Sequence, residues 1–109
     1  MRLLVAILHR EDLLDEVLSA LVELEEPEAV VIESRSGLEL LERDLPVFAG
    51  LRSLIPSGID FSSLVVCLIE DDHRAQEALV AIRGLAVAGE VQGPRNTVML
   101  LAVADAGHF

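Results

Sequence analysis

Holding a phosphate or another small anion takes a cation and several backbone N–H donors gathered in one place. The stretch GEVQGPRN, Gly89 to Asn96, offers both, with Arg95 two residues after Gly93. Arg95, Gly93 and Gly89 are therefore the leading anion-binding candidates. Arg35 and Gly37 in SRSG are further contributors, and His9 stands at the end of an apolar run. A tight turn ending in a surface arginine is the plainer reading of the loop, and a solvated element end the plainer reading of His9; both stay open. His9, His73 and His108 do not have the spacing of a metal-ligand set. Cys67 lies inside LVVCLI, where a thiol is buried and lacks the electropositive surroundings that activate it. Glu33, Glu70 and Asp71 fall at strand ends, and Glu25, Glu26 and Glu28 read as solvated surface. No catalytic constellation emerges, so the chain is read as a binding protein without metal, not as an enzyme.

The charge balance narrows the partners. Nineteen acidic residues against eight basic ones, all arginine, leave a net charge of -11. That excludes nucleic acid, whose phosphates require a basic patch. The N-terminal apolar run, Leu3 to Leu8, is followed at once by charged residues and has no cleavage site of signal-peptide type. No run approaches the roughly 18 apolar residues of a membrane span. A soluble, cytoplasmic protein without membrane insertion is expected. The 109 residues suit a single domain, 1–109.

The elements that must position these residues follow from hydrophobic period. RLLVAIL, Arg2 to Leu8, reads as a buried strand. EDLLDEVLSALVELEE then switches to helical spacing, with Leu14, Val17, Leu18, Leu21 and Leu24 on one face. Strands are expected again at Ala29 to Glu33 and Ser63 to Glu70. Asp71 and Asp72 can cap a second helix, from about His73 to Val87, with Ala75, Ala78, Leu79, Ile82 and Leu85 inward. Asn96 to Ala104 supplies the last strand. The order βαββαβ predicts an α+β, ferredoxin-like fold with two helices on one face of a four-stranded antiparallel sheet.

Such a sheet, helix-covered on one side and wet on the other, should alternate apolar and polar residues. These strands do not: Leu3 to Leu8, Ala29 to Ile32, Leu64 to Ile69 and Val98 to Val103 are apolar at successive positions. Two helices cover only one face, so the other needs a cover. One source is the segment DLPVFAGLRSLIPSG, Asp44 to Gly58, whose Val47, Phe48, Leu51, Leu54 and Ile55 form an apolar helical face. The other is a further copy of the chain, which closed cyclic symmetry favours.

Across nearly its whole length the chain resembles the PII signal-transduction family. AILHREDLLDEVLSAL is similar to that family's first strand and helix, including its LDEV stretch at Leu14 to Val17. VVIESRSG resembles the second strand entering the T-loop, SLVVCLIEDDHRAQEALVAI the third strand and second helix, and GEVQGPRNTVMLLAV the B-loop and fourth strand. The resemblance implies a homotrimer formed by sheet packing, with ligand sites in clefts between subunits built from the T-loop base, the B-loop and the neighbouring chain; Arg95 beside Gly93 would then have Gly89, Gly37 and Arg35 as partners across the cleft, with His9 near it. It also implies ATP or ADP, often with 2-oxoglutarate, as ligands, and nitrogen regulation through an enzyme, transcription factor or transporter as partner. The departures are specific. The Asp and Lys of the family's Gly-Asp-Gly-Lys B-loop are missing from Gln92-Gly93-Pro94-Arg95, the basic residues after the last strand have no counterpart, and the absence of Tyr excludes tyrosyl uridylylation.

The T-loop-equivalent insertion, 35–62, is shorter and apolar. Its Phe48 and Leu51 are expected either to pack on the body or to present a switch face to a partner, with Arg52 on the other side sensing an anion. The leading expectation is a trimeric PII-like regulator of a partner protein, binding a small anionic metabolite. The alternatives are a ligand-free structural trimer and a metal-binding trimer of the copper-tolerance type.

Overall fold

The computed structural model describes residues 1–35, 37, 62–86 and 95–109. Six elements follow one another: β1 (Arg2–Leu8), α1 (Glu11–Glu23), β2 (Val30–Glu33), β3 (Ser63–Ile69), α2 (Asp72–Ala86) and β4 (Thr97–Ala102). The four strands form one antiparallel sheet in the order β2-β3-β1-β4. This is the ferredoxin-like α+β arrangement expected from the element order. Much of the 35–62 insertion, including Phe48, Leu51 and Arg52, lies outside the described residues, as do Gly89 and Gly93.

Period 2 in the strands separates the two faces. Leu4, Ala6 and Leu8 of β1 and Val65, Cys67 and Ile69 of β3 point under the helices and are fully buried. They join Val17 and Leu21 of α1 and Ala75, Ala78 and Ile82 of α2 in one core. The inward face of α1 is centred slightly off expectation. Leu13 is buried, at 4% exposure, whereas Leu14, Leu18 and Leu24 only flank the core. The leucines run almost continuously around that helix, so the pattern leaves its rotation loose, and the sheet selects Leu13, Val17 and Leu21. Cys67 is 1% exposed and burial pushes its thiol up, away from the reactive thiolate.

The helix ends are closed differently. Asp71 caps α2: its Oδ1 accepts the Arg74 N–H at 3.0 Å, the N-cap geometry expected from the sequence. At the end of α1, Glu26 N–H reaches Leu21 O at 2.9 Å and Glu25 N–H reaches Val22 O at 3.0 Å. These bonds make a Schellman motif, with Glu25 at φ 62 in the left-handed region that favours glycine. Glu25→Gly is expected to stabilise the protein by about 1 kcal/mol by relieving that residue. Leu4→Ala, at the core centre, should cost about 2–5 kcal/mol. Urea unfolding of the two variants against the parent chain checks both signs.

Candidate functional site

Antiparallel pairing brings one end of every strand to each of two poles. At the first pole lie the ends of β1 and β2 and the starts of β3 and β4, and with them His9, Arg35, Gly37, Ser62 and Arg95. His9 N–H donates to the Asn96 Oδ1 at 2.8 Å, tying the exit of β1 to the entry of β4. The Ser34 and Ser62 hydroxyls share a hydrogen bond of 2.8 Å where β2 leaves the sheet and β3 enters it. The Nδ1 atom of His9 is shut off from solvent and has no partner among the described residues. Such an orphan costs about 1–3 kcal/mol, which a bonding group would recover. Nothing in the sequence marks Asn96 for this positioning role, because an amide that closes a strand end carries no local signal.

The fold therefore brings Arg35, Gly37, His9 and Arg95 to the same end of the molecule, but not to one point. Arg35 follows the outer strand β2 and Arg95 precedes the outer strand β4. Three inter-strand steps of about 4.8 Å separate those strands, roughly 14 Å in all. Both arginines are exposed. Within one chain they therefore stand on opposite edges of the sheet. Among the described residues, a Cβ added at Gly37 would meet nothing within 4 Å.

Among the described residues, no helix covers the second face of the sheet. Strand pairing aligns Ile32, Leu64, Ile7 and Thr97 in one row, Val30, Val66, Val5 and Met99 in the next, and Leu68, Leu3 and Leu101 in the third. None of these side chains points towards the helices. Val30 is 58%, Ile32 47% and Leu101 46% exposed, while those on the two central strands are half-buried by their neighbours. The double-sided apolar character expected of the strands is thus present in the fold.

The opposite pole is acidic. A cleft of about 400 Å³ is lined there by Glu26, Glu28, Glu70 and Asp71, with Arg74 and His108 against them. Arg74 Nη1 sits 3.3 Å from Glu26 Oε1, and that glutamate side chain is only 16% exposed. Glu26 is therefore not the solvated residue its acidic neighbours suggest; it braces the α1–β2 turn against the start of α2. The His108 Nε2 lies 3.2 Å from Glu70 Oε1, both side chains being exposed. Asp72 pairs with the Met1 ammonium at 2.8 Å and with Arg2 Nε at 3.6 Å. Among the described residues no group of three or more His, Cys, Asp or Glu side chains is arranged to hold a metal ion. No helix among them is long and apolar enough to cross a membrane.

No protein-family model matches the chain, and no curated protein matches it.

The acidic pole has a defined pH signature. The Arg74 N–H, first among several donors, holds the Asp71 carboxyl below the usual range, and the Met1 ammonium does the same for Asp72. A depressed folded pKa contributes stability above the unfolded value, and that stability is lost as pH falls through the folded one. Unfolding free energy should therefore decline on acidification below the ordinary carboxylate range. Asp71→Asn, which retains a capping side chain, should flatten part of that decline. Urea midpoints of the two chains along a descending pH series measure the difference.

Proposed function

We propose that this chain is a PII-like regulatory protein. It assembles as a homotrimer through the open sheet face, binds a small anionic ligand in clefts between copies, and relays that binding to a partner protein without catalysing a reaction. The observation that carries the proposal is the uncovered apolar face. Leu3, Val5, Ile7, Leu64, Val66 and Met99 form a continuous surface on the side away from both helices. An apolar surface of this extent is unfavourable in water and marks an association site. The separation of Arg35 and Arg95 on opposite edges of one pole supports a ligand site shared by two copies. Adenine nucleotide is the first ligand to try, since the resemblance to the PII family implies ATP or ADP. A cytoplasmic location and a nitrogen-related role rest on that same resemblance. The partner, an enzyme or a transporter, would read the element 35–62.

The open face supports a second reading equally well: a structural trimer with no ligand.

Native mass spectrometry with and without ATP, ADP and 2-oxoglutarate tests both. The expected result is a trimer that takes up three ligands, and Arg95→Ala should weaken uptake about tenfold or more, as befits a charge-assisted contact. Val5→Glu, at the middle of the face, should abolish the trimer; Met99→Lys on the outer strand β4 is the companion variant should Val5→Glu not fold. A bare trimer would favour the structural reading. A parent chain that is monomeric would overturn the proposal.

A further inference from the structure

On the helix side of the sheet, away from the open face, a second cleft of about 300 Å³ lies where the start of α1 meets the end of α2. Its apolar lining comes from Leu8, Leu13, Val17, Ile82, Leu85 and Val98. Leu8, Leu13, Val17 and Ile82 are at most 4% exposed and form its floor. Polar groups are few: the lining includes Arg83, Asn96 and Thr97, and none of the chain's nineteen acidic residues is among the described residues there. Arg83 is exposed, so its cation stands at the mouth. The Asn96 Oδ1 is committed to the His9 N–H, which leaves the amide NH2 as the donor on offer.

We infer that this cleft binds an amphipathic monocarboxylate, an unbranched aliphatic acid of about eight carbons, with the tail on the leucine and valine floor and the carboxylate towards Arg83 and Asn96. Charge decides between head groups. In a chain of net charge -11, a cleft whose described lining holds one cation and no acid favours an anion over an ammonium or a neutral head. Size decides the tail. At about 30 Å³ for each water-sized group, the space holds about ten heavy atoms, the number in octanoate. Apolar walls with a few convergent polar groups are the ordinary form of a small-molecule site. The inference does not depend on a trimer, since a single copy supplies every residue.

Methyl-resolved NMR titration of the full chain with butyrate, hexanoate and octanoate is the test. Saturable shifts are expected at Leu13, Val17, Ile82 and Val98, with affinity rising about fourfold per added methylene. Arg83→Gln, an exposed substitution that leaves the core intact, should weaken octanoate about fivefold and leave 1-octanol unchanged. No saturable shift at these methyls up to about 50 mM octanoate, several times the roughly 6 mM dissociation constant that drug-like ligand efficiency gives ten heavy atoms, would overturn the inference. So would shifts confined to Val5, Val66 and Met99, which would place the acid on the open face. Contacts from residues 87–94 to the Leu13 and Val17 methyls without added acid would also overturn it, by making the chain its own occupant. Failure here leaves the nucleotide test untouched, because the two read different residues.

Discussion

The structure depends on a mismatch between a sheet with two apolar faces and a pair of helices able to cover only one. Helix burial closes the face built from Leu4, Ala6, Leu8, Val65, Cys67 and Ile69 to water. The same strands, by the alternation of the pleat, must present Leu3, Val5, Ile7, Leu64, Val66 and Leu68 on the other side. A chain with almost no aromatic residues makes both surfaces aliphatic.

The two poles of the sheet divide the polar residues by task. At one, the carboxylates of Asp71 and Asp72 and the Arg74–Glu26 pair hold the start of α2, the chain's first residue and the α1–β2 turn together. Exposed pairs of this kind contribute little each; the partly buried Glu26 is the member that fixes geometry. At the other pole, His9 and Asn96 join β1 to β4, and the arginines are left facing outward. Ion pairs thus collect at the acidic end, while hydrogen bonds between neutral groups tie the strand ends at the opposite one.

Much of this was legible beforehand, for reasons that differ from element to element. β1 is bounded by Arg2 and Leu8 as read from its apolar run, and α2 begins at the aspartates that cap it. Both signals are local: a pattern of side chains and a capping oxygen within three residues. The rotation of α1 was less certain, because a leucine-rich helix offers several adjacent apolar faces and only the sheet beneath chooses among them. Glu25 gave no warning of a left-handed residue, since the usual marker of a Schellman end is glycine. The burial of Glu26 was equally hidden, because its partner Arg74 lies 48 residues away.

What the amino-acid order determined by itself is the sequence of elements and the double-sided hydrophobicity of the strands, both properties of neighbouring residues. Tertiary structure alone decided that Arg35 and Arg95 stand at one pole yet on opposite edges, because strand order β2-β3-β1-β4 places the outer strands apart. It also decided that Leu8, Leu13, Ile82, Arg83 and Asn96 share a cleft. Their separation along the chain carries no trace of that meeting, since packing between the start of one helix and the end of the other is a long-range agreement of shape.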